Sequence, residues 1–234
     1  MEQARLPRDH PSLLVILYNL ARAHDATGHH DQALKLFDDA LDRAQANHGD
    51  DHRTLLIMQG KAMALRKSGR TNEALELAER VSALTRAKRG PDHPETLSSM
   101  NNLGVAYLSV RQFSQAVAVL QEAVLLYERR YPPDSPEPLG TMENLLVAYE
   151  KNEPGRSRTY TIQCWLGETL ARQKKYSEAE QYYLSGYAGL KKLEATDPST
   201  ARQAILEDTA SHIDKLYETW GEIQKAAHWR ENLR

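Results

Sequence analysis

The 234-residue sequence contains one cysteine, Cys164. A single cysteine cannot form an intrachain disulfide and provides no cysteine cluster for a metal, which agrees with a reducing compartment. No apolar stretch approaches the roughly 20 residues of a membrane-spanning helix. The start at Met1 also lacks the apolar segment of a secretory signal. We therefore expect a cytoplasmic protein that has no membrane partner.

The charge is nearly balanced, because 30 Lys and Arg residues stand against 32 Asp and Glu residues and leave a formal net charge of -2. Such a balance provides no electrostatic attraction to nucleic acid, so we expect no polynucleotide partner. The sequence has only two Phe residues, yet 41% of its residues are hydrophobic and 26% are charged. This composition excludes disorder throughout and favours a folded helical protein.

Motifs for catalysis are missing. The sequence has no Gly-x-Ser-x-Gly, no glycine-rich phosphate loop with a lysine and no clustered carboxylates at a turn. His48 and His52 are separated by the turn-forming segment Gly49-Asp50-Asp51, which breaks the one-face geometry of a paired metal site. His93 is better explained as a helix cap than as a catalytic base. We predict no enzymatic activity, no cofactor and no metal.

The sequence instead repeats itself. Segments around Ala33, Ala74 and Ala116 align with spacings of 41 and 42 residues, and each is flanked by two stretches of helical periodicity. This pattern predicts pairs of amphipathic helices that must stack on their neighbours to bury their apolar faces. Small residues on both helices allow close approach of the helix axes. These residues are Ala21, Ala62 and Gly104 on the first helices and Ala33, Ala74 and Ala116 on the second helices.

Proline-containing segments mark where new pairs begin. Gly90-Pro91-Asp92-His93-Pro94 and Asp134-Ser135-Pro136 predict a helix stop followed by a fresh start, with Pro94 and Pro136 at the first helical position. We expect one all-α array over residues 1–234. Its predicted parts are repeats near 10–50, 51–92 and 93–134, a half-repeat at 135–151, a repeat at 157–193 and capping helices at 198–234.

One pair is predicted to be incomplete after residue 150. The helix that contains Asn144 is followed by the linker Lys151–Arg158 instead of a second helix, and Ala116 and Ala179 are 63 residues apart. A linker this short favours an antiparallel restart over a return to the other end of the helix. We expect the helix around Trp165 to take an outer-row place as a result. The following helix, which contains Tyr182, Tyr183 and Tyr187, would then move to the inner row.

The segments Asn101-Asn102-Leu103-Gly104-Val105-Ala106-Tyr107 and Gly90-Pro91-Asp92-His93-Pro94 resemble the kinesin-light-chain type of tetratricopeptide repeat. The last third, from Thr159 onward, is similar to the carboxy-terminal ends of bacterial, planctomycete-type repeat proteins that are often joined to kinases. The resemblance implies a right-handed α-solenoid that acts as a protein-binding scaffold or sensor.

The resemblance also implies that a peptide binds on the concave inner face, which the first helices line. Asn19, Asn102 and Asn144 recur at one register of these helices, and an amide can pair with a peptide unit through both its donor and its acceptor. The alternative is that Asn is simply tolerated on a solvated face. The full set of candidate residues is Tyr18, Asn19, Arg22, Gln59, Met63, Arg66, Asn101, Asn102, Val105, Leu108, Glu143 and Asn144.

Two other functions stay open at this point. The chain could be a structural module that forms a weak homo-oligomer through the exposed ends of the solenoid, or an excised or engineered fragment without its own ligand. Trp165, Trp220 and Trp229 all fall in the last third. We predict that they seal the end of the array rather than form an aromatic binding patch.

Overall fold

A computed structural model describes residues 11–48 and 51–233, so the predicted turn at Gly49 and Asp50 lies outside the described residues. In these segments, helices account for all the regular secondary structure, which confirms the all-α class. None of the helices described is both long enough and apolar enough to cross a membrane. The described segments contain eleven helices, α1 (Pro11–Ala26), α2 (His30–His48), α3 (His52–Lys67), α4 (Thr71–Arg89), α5 (Pro94–Ser109), α6 (Phe113–Arg130), α7 (Leu139–Asn152), α8 (Ser157–Arg172), α9 (Tyr176–Thr196), α10 (Thr200–Trp220) and α11 (Ile223–Leu233).

The chain divides into two compact units, Met1–Val119 and Leu120–Arg234, with a boundary inside α6. The first unit contains α1 to α5 and the start of α6. The second unit contains the rest of α6 and α7 to α11. Each unit has its own buried core, around Phe37 in the first unit and around Ile213 in the second.

Five helix pairs close through the same turn. At the end of α1, Gly28 has a φ of 81°, and the His29 N–H donates a 2.9 Å hydrogen bond to the His24 carbonyl. This bond and a left-handed residue define a Schellman termination. The pairs α3–α4, α5–α6, α8–α9 and α10–α11 repeat it. The left-handed residues of the five turns are Gly28, Gly69, Arg111, Lys174 and Gly221.

The predicted role of the small residues is confirmed. Ala21, Ala33 and Ala116 have no exposed surface, and Ala74 is 1% exposed. Close packing in the first unit extends beyond each pair, because α3 contacts both α1 and α2, and α5 contacts both α3 and α4. Each pair therefore buries its apolar faces partly against its neighbour, as stacked helix pairs require.

The start of α5 follows the sequence prediction. His93 is the N-cap, and its ring Nδ1 accepts a 3.2 Å hydrogen bond from the Glu95 N–H. Pro94 occupies the first turn, where its missing N–H costs nothing. The Thr96 hydroxyl donates a 2.7 Å hydrogen bond back to the Gly90 carbonyl. The capping role predicted for His93 is therefore confirmed.

The prediction that Pro136 begins a helix is wrong, because α7 begins at Leu139. The Pro136 carbonyl instead accepts a 3.2 Å hydrogen bond from the Leu139 N–H and closes a turn. The reason is local: Glu137 precedes Pro138, and a residue before proline is disfavoured in the helical region. A second proline therefore delays the helix.

The restart after α7 is antiparallel, as predicted. The connection 153–156 has only four residues, fewer than the linker expected from the sequence. Thr169 near the end of α8 lies 3.9 Å from the sulfur of Met142 near the start of α7. The Gln173 side chain, just after α8, donates a 3.0 Å hydrogen bond to the Ser135 carbonyl, just before α7. The end of α8 thus lies beside the beginning of α7.

Within the second unit, α8 begins a pair with α9, and its place in the outer row of the array stays a prediction. It ends in the same turn as α1, α3 and α5, with a 3.0 Å bond from the Lys175 N–H to the Leu170 carbonyl. Gly167 on α8 lies under the ring of Tyr183 on α9. The next helix, α10, contacts both α8 and α9, as α3 contacts α1 and α2. A glycine contact and a terminal turn therefore make α8 the first helix of a new pair.

Two of the three tryptophans pack as a capping role requires, and the sealing of the end of the array stays a prediction. The Trp229 indole N–H donates a 3.1 Å hydrogen bond to the Ala210 carbonyl, and Trp220 packs against Tyr176 with ring centroids 6.0 Å apart. Both rings belong to the periphery of the core of the second unit. Trp165 differs, because 43% of its surface is exposed.

Candidate functional site

The first unit contains a recess between two consecutive first helices, α3 and α5, with the second helix α4 at its base. Its volume is about 200 Å³. Four of the residues predicted to bind a peptide converge here from two helices. The lining residues are Ala62, Met63 and Arg66 of α3, Ala74 and Ala78 of α4, and Asn102, Val105 and Ala106 of α5.

The recess exists because its base is made of alanine. Ala74 is 1% exposed and Ala78 is 4% exposed, so their methyl groups already contact neighbouring side chains. A larger residue at either position would fill the space between α3 and α5. The alanine spacing in the sequence revealed Ala74 as a packing residue but not as part of a site, and it did not reveal Ala78.

Two polar groups stand at the rim of this apolar base. The Asn102 amide is half-buried and can both donate and accept a hydrogen bond. Arg66 is also half-buried, and its guanidinium has no ion pair among the described residues. Met63 keeps 42% of its surface exposed. The recess thus offers an apolar surface, one amide and one cation without a bound carboxylate.

Two other cations of α3 are already neutralised. The Lys61 ammonium lies 2.5 Å from a carboxylate oxygen of Asp38, and the Lys67 ammonium lies 2.6 Å from one of Asp25. Arg66 lies between these lysines in sequence but faces the recess. Among the cations of α3, Arg66 is therefore the one that lines the recess.

The predicted residues of α1 pack mainly against other parts of the protein. The Tyr18 ring meets the Phe37 ring edge to face, with centroids 6.2 Å apart, and the Arg22 guanidinium lies 5.7 Å from the Tyr18 centroid. Gly60 lies beneath both rings, since an added β-carbon there would be 2.7 Å from Phe37. Asn19 is exposed. Tyr18 therefore has a structural role that the sequence pattern did not reveal.

The remaining candidates do not line this recess. Gln59, Asn101 and Leu108 are half-buried in the first unit. Glu143, which is exposed, and Asn144, which is half-buried, lie on α7 in the second unit. Their participation in peptide binding stays a prediction.

Cys164 has no environment that would activate a nucleophile. Only 4% of its surface is exposed, and it packs beside Gly186 of α9. Burial raises the pKa of the Cys164 thiol, so the neutral form dominates at physiological pH. The residue fills space in the contact between α8 and α9.

A surface that the sequence interpretation missed lies on α8. Trp165, Glu168 and Arg172 follow one another along one face, and recesses open on both sides of this row. An Arg172 nitrogen lies 2.7 Å from a Glu168 carboxylate oxygen. The spacing of three and four residues could have indicated this face, but the tryptophan suggested a cap instead.

Comparison with solved structures supports the fold. TPR-like repeats of a Podosopora anserina kinesin light chain share 22% identity, cover 95% of this chain and 93% of their own, and give a TM-score of 0.59. BtubC (BKLC) from P. vanneervenii shares 19% identity over 88% of this chain and 80% of its own, with a TM-score of 0.63. A Rap protein complexed with competence and sporulation factor shares 14% identity over 93% of this chain and 61% of its own, with a TM-score of 0.60.

At these identities the likeness establishes a shared fold. No curated protein sequence matches the chain. A family profile described as tetratricopeptide repeat matches residues 13–87 and 54–129, which together span half of the sequence. The matched region includes the helix pairs that form the recess. The chain belongs to the tetratricopeptide repeat family.

Proposed function

We propose that this chain is a scaffold that binds an extended segment of a partner protein on the face of its first helices. The observation that carries the proposal is the recess between α3 and α5, where Met63, Arg66, Asn102 and Val105 converge. Tetratricopeptide repeat folds generally serve as protein-interaction scaffolds without catalytic activity. The Rap protein with the same fold is complexed with competence and sporulation factor, which supports a bound partner as the common use of this architecture.

The recess suggests how such a segment would be held. An apolar side chain of the partner would enter above Ala74 and Ala78 and contact Met63 and Val105. The Asn102 amide would pair with a peptide unit of the same segment. Because Asn102 and Val105 lie on the same face of α5, one extended segment could contact both side chains. No cofactor, metal or nucleic acid is needed for this mode of binding.

The experiment combines partner capture with point variants. The wild-type chain would be used to capture proteins, and each captured protein would then be titrated by calorimetry against Asn102→Ala and Arg66→Ala. We expect each change to weaken binding by about 1 kcal/mol or more, because a polar contact at the interface is lost. Melting temperatures should stay nearly unchanged, since neither side chain supports the core.

Asn72→Ala is the matched control, because Asn72 is an exposed asparagine in the first turn of α4 and outside the recess. It should leave the affinity unchanged. We extend the same test to Asn19→Ala and Asn144→Ala. If the affinity is unaffected by every variant on the first helices, the assignment of the binding face is wrong.

Self-association is a second candidate, favoured by an apolar stripe on α1. Val15, Ile16 and Leu20 are 53%, 54% and 46% exposed. At the register of Ile16 and Leu20, the residues of α5 are Ser99 and Leu103, which are 1% and 9% exposed. The stripe on α1 thus resembles the surface that is buried between neighbouring pairs elsewhere in the unit. A second copy of the chain could cover it.

Light scattering over a concentration series tests this alternative. A dimer that becomes a monomer in the Ile16→Glu and Leu20→Glu double variant would support self-association. Leu184→Glu is the control, since Leu184 is a similarly exposed leucine in the second unit, at 37%. A wild-type chain that stays monomeric at all concentrations would exclude self-association and leave the scaffold function as the one candidate.

A further inference from the structure

The second unit has a recess of about 270 Å³ between the end of α6, the start of α7 and α8. Aromatic rings and carboxylates share its walls. The rings belong to Tyr127, Tyr131 and Trp165, and the carboxylates belong to Glu128 and Glu168. Trp220 and Trp229, which pack against the core of this unit, do not line the recess.

The Trp165 ring of this recess is available to a cation. Trp165 exposes 43% of its surface, although large aromatic side chains in helical arrays are usually packed. Tyr131 already lies near a positive charge, since the Arg130 guanidinium carbon is 5.7 Å from its ring centroid. A cation over an aromatic face is attracted by the negative charge density of the ring. The exposed indole of Trp165 offers the same interaction to a charge from outside.

The two carboxylates differ in what they contact. Glu168 is paired with Arg172 on its own helix at 2.7 Å. Glu128 has neither a hydrogen bond nor an ion pair among the described residues. The Glu128 side chain is exposed, but partial desolvation of its carboxyl raises its pKa, and the negative charge of Glu168 raises this pKa further. A cation beside Glu128 would offset the repulsion between the two carboxylates.

We propose that this recess binds the side chain of a Lys or Arg residue of a partner protein, with its charged group between the Trp165 ring and the Glu128 carboxylate. The stem of such a side chain is apolar and suits the aromatic walls, while its head forms an ion pair. Arg172 also lines the recess but is paired with Glu168, so the Glu128 carboxylate is the charge left for a partner, and it would repel an acidic side chain. The site lies in the second unit and does not depend on the recess between α3 and α5.

The test uses small probes and the indole N–H signals in an NMR titration. The probes are Nα-acetyl-arginine methylamide and its uncharged analogue of similar shape, Nα-acetyl-citrulline methylamide. We expect the arginine probe to shift the Trp165 signal, which the Trp165→Phe variant assigns. The Trp229 signal is an internal reference, because its N–H is bonded to the Ala210 carbonyl. Glu128→Gln should weaken binding of the arginine probe about two- to fivefold.

Glu231→Gln is the control for charge, because Glu231 is an exposed residue of α11 outside this recess, and it should leave the affinity unchanged. Unchanged reference signals in each variant show that the fold is intact. Equal shifts with both probes, no shift with the arginine probe, or an unchanged affinity in Glu128→Gln would overturn the proposal. Arg66→Ala should leave the titration unaltered, so failure here and failure of the partner-binding proposal are distinguishable.

Discussion

The Tyr107 hydroxyl of α5 donates a 2.8 Å hydrogen bond to the Glu79 carboxylate of α4, the second helix of the preceding pair. The same relation recurs between Tyr149 of α7 and Gln121 of α6, where the distance is 3.3 Å and the separation in sequence is again 28 residues. A tyrosine at this register thus joins a first helix to the preceding second helix. The bond connects neighbouring pairs rather than the two helices of one pair.

Tyr107→Phe removes this bond and should lower the free energy of unfolding by about 1 kcal/mol, the usual net value of one hydrogen bond. Urea denaturation followed by circular dichroism measures the change. Tyr182→Phe is the control, because the Tyr182 hydroxyl makes no hydrogen bond among the described residues. Equal effects of the two changes would contradict the role of the Tyr107 bond.

Alkaline pH should destabilise the protein through the same residue. Burial and the Glu79 carboxylate raise the pKa of Tyr107 from 10 to about 12. The folded state therefore retains a proton that the unfolded chain releases, so this stabilisation is present below pH 10 and is lost as the pH rises through about 12. Unfolding measured across this range should show a smaller loss in Tyr107→Phe than in the wild type. An identical pH dependence would contradict the assignment.

The terminal turns provide a prediction of increased stability. Arg111 and Lys174 adopt φ values of 62° and 61°, in the left-handed region that favours glycine. Arg111→Gly and Lys174→Gly should each raise the free energy of unfolding by about 0.5 to 1 kcal/mol. The reciprocal change Gly69→Ala should lower it by a similar amount, since φ is 83° there and no atom crowds the added carbon. Thermal denaturation of the three variants measures these changes, and a lower stability of both glycine variants would contradict the prediction.

The contact between α8 and α9 depends on the absence of a side chain at Gly167. A β-carbon at this position would lie 2.7 Å from the Tyr183 ring, which is 2% exposed and cannot move into solvent. Gly167→Ala should therefore lower the free energy of unfolding by about 1 to 3 kcal/mol. Gly140→Ala in α7 is the control and should be neutral or stabilising, because nothing lies within 4 Å and alanine favours helix.

The repeat could be predicted from the sequence because its cause is local. A helix pair needs a small residue at a fixed register, and Ala33, Ala74 and Ala116 report that register directly. The convergence of Met63 and Asn102 followed from the same register, since first helices of consecutive pairs present equivalent faces to one groove.

What could not be predicted depends on neighbours from other helices. Tyr18 lies on α1 as predicted, but its ring packs against Phe37 of α2 and so has a structural role. The exposure of Trp165 depends on how α8 packs against its neighbours, and the sequence of α8 alone does not show this. The start of α7 lies at Leu139 rather than Pro136 because Pro138 disfavours the helical conformation at Glu137. Periodicity predicts which face of a helix is apolar, but it does not predict which side chains of the neighbouring helix pack against that face.

The four-residue connection between α7 and α8 also changes the direction of the backbone dipoles. In the first unit, the ends of α1 and α3 lie side by side, because the Lys67 ammonium near the end of α3 is 2.6 Å from an Asp25 carboxylate oxygen near the end of α1. In the second unit, α7 and α8 are adjacent but antiparallel, so the positive end of one lies beside the negative end of the other. The opposed dipoles of α7 and α8 therefore partly cancel at each end of this pair. Within the second unit, the short connection thus leaves little helix field at these ends to orient a charged partner.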